Sequence, residues 1–211
     1  MKKKIVNPSV IIGLGGSGYK TLFETKKSLL REYGEIPETI KLLCFDTDTN
    51  KMLSMREDMT YRKIDNNGKL GKAALHEVMF TPNEAYGIPI QEPTALFEDE
   101  SIKSWLSPWA QNNISPSDIG ASCIRQKGRF AFFENLQQIG RSNNGIETVI
   151  QKASQEVHHI ANKSDDRYNI LSGQKPVIHL VFSPSGGTGG GTFLDFIMLI
   201  KSLPEKFKLC T

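Results

Sequence analysis

Cysteine is scarce in this 211-residue chain: Cys44, Cys123 and Cys210 are odd in number and far apart. That usage excludes a disulfide framework and a Cys-x-x-Cys metal site, and it fits a reducing cytoplasm. Long apolar runs are missing as well, none approaching the roughly eighteen residues that would span a bilayer. The first lysines lead only to Ile5-Val6 and a polar Asn-Pro, which is no secretory signal. Nor is there an excess of one charge, since 26 Lys and Arg stand against 23 Asp and Glu for a net charge of +3. A nucleic-acid binder would concentrate its basic residues, so none is expected here, and Lys2-Lys3-Lys4 reads as a solubilising tip. His158 and His159 are adjacent on a predicted helix and point about 100° apart, a poor geometry for sharing a metal.

Glycine, by contrast, is plentiful in one place. Gly186, Gly187, Gly189, Gly190 and Gly191, interrupted by Thr188 and flanked by Ser185 and Thr192, lie between a predicted strand at 177–181 and a predicted amphipathic helix at 193–200. Such a strand-to-helix corner free of Cβ atoms lets successive N–H groups point into one concavity at the positive end of a helix dipole. No Gly-Lys-Ser/Thr follows, so the run is not a Walker A loop, and any phosphate would be held by amides and hydroxyls.

A similar corner opens the chain. Residues 9–14, Ser-Val-Ile-Ile-Gly-Leu, form a continuous apolar strand of the kind buried on both faces of a parallel sheet. Gly13-Leu14-Gly15-Gly16-Ser17-Gly18 then enters a helix that runs to Tyr33 and stops at Gly34. The spacing is also Gly-x-Gly-x-x-Gly, and a second strand at 40–45 ends in Asp46-Thr47-Asp48, where a dinucleotide-binding Rossmann domain places its ribose-binding acid. Asp46 and Asp48 serve equally as caps or loop residues.

The middle of the chain is less patterned. A short helix is expected at 50–56, a strand at 59–64, a turn at 65–68, and helices at 69–80 and 94–106. Trp105 and Trp109 flank a Ser-Pro and are expected to pack as a docking elbow. Residues 58–117 read as an insertion in an α/β core, or as a partner-binding subdomain, with 114–117 as its exit hinge. Then Gly120-Ala121-Ser122 feeds a helix carrying Phe130, Phe133 and Leu136 toward Ile139. Its amides would suit a phosphate, and Arg125 or Arg129 would offer bidentate donors or simply a solvated face. A helix over 146–161 with Val149, Ile150, Ala153, Val157 and Ile160 on one face, a polar surface loop over 163–175, and a strand at 207–210 complete the reading.

These loops in this order resemble those of the tubulin/FtsZ superfamily, whose signature is Gly-Gly-Gly-Thr-Gly-Ser/Thr-Gly. The pattern is most similar to the divergent bacterial tubulin-like proteins. The resemblance implies a three-layer, doubly wound, mostly parallel α/β sheet. By it, Gly15, Gly16, Ser17 and Gly18 lie over the α- and β-phosphates, and Asp46 and Asp48 belong to a second loop, typically Asn-Thr-Asp in the FtsZ branch. Gly120, Ala121 and Ser122 correspond to the γ-phosphate loop, and Ser185 to Thr192 to the signature. It further implies GTP or GDP with Mg²⁺, head-to-tail assembly into a homopolymer, and hydrolysis completed by acids of the next subunit. No residue here forms a complete catalytic base. The family's domain continues with guanine contacts, so the sequence is expected to hold the phosphate half of the site. Two other readings stand beside this one: an NAD-binding module using Gly13, Gly15, Gly18 and Asp46, and a nucleotide-blind, partner-binding relative.

Overall fold

The structure, a computed structural model, describes residues 4–49, 61–65, 69–73, 75–116, 119–139, 144–161, 168–170, 176–203 and 208–210. In chain order its elements are β1 (Lys4–Val6), β2 (Ser9–Leu14), α1 (Gly15–Tyr33), β3 (Ile40–Asp46), β4 (Tyr61–Ile64), β5 (Leu70–Ala73) and α2 (Leu75–Val78). There follow β6 (Ala85–Gly87), α3 (Pro93–Phe97), α4 (Glu100–Lys103), α5 (Pro108–Asn112), α6 (Arg125–Glu134), α7 (Ile146–Ala161), β7 (Tyr168–Ile170), β8 (Val177–Phe182), α8 (Gly187–Ser202) and β9 (Lys208–Cys210).

The apolar strands pair as their composition requires. Five form one sheet in the order β6-β3-β2-β8-β9, with every neighbouring pair parallel. Side chains alternate along each strand, so the two faces of the sheet bury separate clusters. Val10, Ile12, Leu14, Leu43 and Phe45 pack with Phe132 of α6, with Ile146, Ile150 and Val157 of α7, and with Phe196 and Ile200 of α8. On the other face Leu42 and Cys44 meet Leu22 of α1. The result is the three-layer α/β arrangement expected from the sequence, with the carboxyl ends of β3, β2 and β8 side by side. None of the helices among the described residues is long and apolar enough to cross a membrane.

Several local expectations change. The helix expected at 69–80 is instead β5 followed by α2. Gly71 weakens a helix interior, while Asp65 closes a hairpin by donating its N–H to the Lys69 carbonyl and accepting the Lys69 N–H. The helix expected at 94–106 is cut in two, because Asp99 accepts the Ser101 N–H (2.8 Å) and caps α4. Likewise α6 ends at Glu134 rather than Ile139, where Asn135 turns its amide onto the Ala131 and Pro89 carbonyls. Trp105 lies tilted against Phe133, but Trp109 stays 63% exposed, so the two tryptophans do not pack as one elbow. The stretch read as a loop over 163–175 includes β7, paired in parallel with β1, and its other residues lie outside the described ones. The helix expected at 50–56 lies outside the described residues.

The segment 58–117 does more than decorate the core. Its β6 is the edge strand beside β3, and Ile102, Leu106, Ala110 and Ile114 form a small core with Phe130 and Ala131 of α6. Two backbone N–H groups, of Gln91 and Glu92, converge on one Glu134 carboxylate oxygen at 2.7 and 2.6 Å. This segment therefore grips the helix that follows the Gly120 loop.

Candidate functional site

The glycines settle where the loops meet. Leu14 ends β2 and Gly15 begins α1 directly, with φ of +68° that suits glycine. Similarly α8 begins at Gly187, so most of the second glycine run is the first turn and a half of a helix rather than an open loop. Close packing explains the composition. A Cβ on Gly187 would stand 2.8 Å from Ala121 Cβ and 3.0 Å from the Cys123 and Ile124 nitrogens; one on Gly15 would stand 3.2 Å from the Gly189 nitrogen and from Thr188 Cβ. On the outer face, Cβ atoms on Gly191 and Gly128 would collide with the carbonyls of Arg125 and Gly187. Four loops thus touch through glycine, at 13–18, 46–49, 119–124 and 183–191.

Second-strand and signature loops are also joined by a buried polar chain. Thr188 donates its hydroxyl to Asp46 Oδ1 at 3.1 Å, and the Thr47 hydroxyl lies 2.7 Å from that of Thr188. Asp46 Oδ1 also accepts the Asp48 N–H at 3.2 Å. Asp46 is 4% exposed and Thr188 7%. Burial pushes the Asp46 carboxyl above its ordinary pKa. The N–H of Asp48 and the hydroxyl of Thr188 pull it back down, the neighbouring Asp48 charge pushes it up, and the Thr47 N–H lowers it again. Burial, with Asp46 nearby, also raises the Cys44 thiol far above its normal range.

The residues singled out from the sequence sort into a frame and a rim. Gly15, Gly18, Asp46, Gly120, Ala121, Gly187, Thr188, Gly189 and Thr192 are buried, whereas Gly16, Ser17, Asp48, Ser122, Ser185, Gly186, Gly190 and Gly191 are partly or fully open. The Thr192 hydroxyl is committed to the Thr188 carbonyl at 2.8 Å. At the rim the Ser183 and Ser185 hydroxyls lie 2.8 Å apart. Ser122 and Cys123 both take left-handed backbone, with φ of 50° and 62°, one residue beyond Gly120 at 93°. Two such non-glycine residues in succession mark strain of the kind held at functional loops. The Asp48–Ile119 bridge fixes this strained turn to the end of β3.

Arg129 points elsewhere. It makes a forked ion pair with Asp195 of α8 (3.0–3.2 Å) and lies 4.5 Å from the Trp105 ring centre, which ties α6 to α8 and to the 93–112 helices. Arg125 is the exposed first residue of α6, with Nε 3.4 Å from where a Gly190 Cβ would stand. Thr47 is the member of the site that pattern reading left aside; its place between two acids was the available signal. A separate groove of about 830 Å³ runs beside the first half of β3, past Pro37, Pro82 and Lys152, and no residue of the four loops lines it.

A parallel sheet whose strand ends feed glycine-built turns into helices defines a Rossmann-like α/β domain. Within that class the chain belongs to the tubulin-like family: the family model described as "Tubulin like" matches residues 10–209. No curated protein and no solved structure matches the chain.

Proposed function

We propose that this tubulin-like chain binds a guanine nucleotide by its phosphates at the junction of the four loops and that nucleotide binding drives head-to-tail self-assembly. One observation carries the reading. The helices α1, α6 and α8 begin at the junction, and none of the three has a side-chain cap or an acidic residue in its first turn. Each start leaves orphan N–H donors and the positive end of a dipole, so an anion is the missing partner. Sheet order sets the starts of α1 and α8 next to each other at the ends of β2 and β8, and the glycine contacts bring α6 against the start of α8.

The rim amides and hydroxyls at Gly16, Ser17, Ser122, Ser185 and Gly186 would meet the phosphates. The frame residues keep those groups in place, which limits the reorganisation needed on binding. Mg²⁺ fits such a site through phosphate oxygens and water, its usual mode, with the Asp48 carboxylate at the rim to take a metal-bound water. Family likeness supports guanine as the base and polymer contacts as the place of hydrolysis. A heterologous contact between copies would let one subunit complete the site of the next.

The test is direct. The purified protein is denatured, any released nucleotide is identified by chromatography, and GTP, GDP and NAD are titrated calorimetrically into nucleotide-free protein. Guanine nucleotide alone is expected to bind. Gly186→Leu, where an added side chain meets only the Ser183 oxygen at 3.8 Å, should abolish binding in a folded protein, and GTP should raise light scattering in the wild type. Retention of NAD, or no binding at saturating GTP, overturns the proposal.

A further inference from the structure

The acid at the end of β3 is buried behind the rim. Asp46 is 4% exposed, and its Oδ1 already accepts two hydrogen bonds, from Thr188 and from the Asp48 N–H. Asp48, two residues on, is half-buried and bridged to Ile119. A carboxylate that met a ribose, a phosphate-bound metal or a nucleophilic water would need the position of Asp48, not that of Asp46.

Thr188 is where the frame closes. It is the second residue of α8, within the turn whose N–H groups have no partner in the helix. Its Cβ is 3.2 Å from where a side chain on Gly15 would stand, its carbonyl receives Thr192, and its hydroxyl is joined to both Asp46 and Thr47. Gly187 and Gly189 on either side carry no side chain of their own, so Thr188 supplies the side-chain anchor that sets the direction of the first-turn amides.

We propose that Asp46 is a positioning residue that acts through Thr188: the hydrogen bond between them fixes the rotation of the first turn of α8, and Asp46 does not touch the nucleotide. The dependence on the proposed nucleotide site enters only at the last step, where those amides meet phosphate. Orientation itself is a property of the nucleotide-free protein. Asp46→Asn keeps the Oδ1 acceptor and Thr188→Ser keeps the hydroxyl, so both retain the anchor, whereas Asp46→Ala and Thr188→Val each remove it.

The experiment measures amide hydrogen exchange over 186–192 in the nucleotide-free full chain, together with GTP affinity by calorimetry, for the four variants and the Asp46→Ala/Thr188→Val double variant. Asp46→Ala and Thr188→Val are expected to speed exchange in that segment and to weaken GTP by about tenfold or more, the scale of one lost buried hydrogen bond. Asp46→Asn and Thr188→Ser should stay within about threefold of wild type, and the double variant should be no worse than the weaker single one. A ligand-contacting Asp46 would give the opposite pattern, with Asp46→Asn losing GTP while Thr188→Val binds normally, and that result overturns the proposal. So does unchanged exchange in Asp46→Ala. If the exchange pattern appears but wild-type protein binds no GTP, the positioning role stands and the nucleotide reading falls.

Discussion

At the scale of residues, Asp46 shows how a fold alters an acid. Its carboxyl loses water on folding, and the hydrogen bonds from the Asp48 N–H and Thr188 do not fully offset that loss, so its pKa rises above the ordinary 3.8. The folded state then binds a proton that the unfolded chain has released. Stability from this group is fully present below about 3.8 and is lost as pH rises through the higher folded value. Urea denaturation of wild type and Asp46→Asn at stepped pH is expected to show wild type losing ground to the variant as pH rises from about 4. A pH-independent difference would contradict the burial argument. The sequence marked Asp46 as a strand-end acid but not its burial, since burial depends on Thr188, which lies far along the chain.

Between elements, glycine serves contact more than flexibility. In an exposed helix interior Gly→Ala gains up to about 1 kcal/mol. At Gly128 and Gly191 the new methyl would meet backbone carbonyls of the facing helix, which cannot rotate away. Overpacking of that kind costs about 1–3 kcal/mol and outweighs the helix gain. Gly128→Ala and Gly191→Ala should therefore lower the midpoint of chemical denaturation, while Gly186→Ala, whose nearest neighbour would be the Ser183 oxygen at 3.8 Å, should change stability by less than about 0.5 kcal/mol. The glycine run was legible as a strand-to-helix corner. That the helix begins inside it was not, because glycine has low helix propensity and only the tight approach of α6 to α8 gives glycines a reason to be helical there.

For the molecule as a whole, the question is how the 93–112 helices join the α/β core. They bury Ile102, Leu106, Ala110 and Ile114 on Phe130 and Ala131, and Gln126 of α6 donates to the Trp105 carbonyl at 2.7 Å. These contacts load onto the helix whose first residues adjoin the strained Ser122-Cys123 turn. Phe130 is fully buried and touches Phe97, so Phe130→Ala is expected to cost about 3–5 kcal/mol. Limited proteolysis should then cut within 90–116 before the sheet is lost. Simultaneous loss of both would show that the two cores fold as one cooperative unit.

The apolar strands, the amphipathic period of α7 and the glycine corners determine by themselves a parallel α/β sheet with its loops at one edge. They do so because burial on two faces and a sharp turn each demand particular residues in adjacent positions. The glycine turns at 13–18 and 186–191 mark two strand-to-helix corners at one edge of that sheet. Tertiary structure alone decided which glycines are frame and which are rim, that Asp46 anchors Thr188, and that Arg129 pairs with Asp195 instead of facing the site. Each of these depends on a partner more than sixty residues away, and a distance of that kind is fixed by packing and not by local pattern.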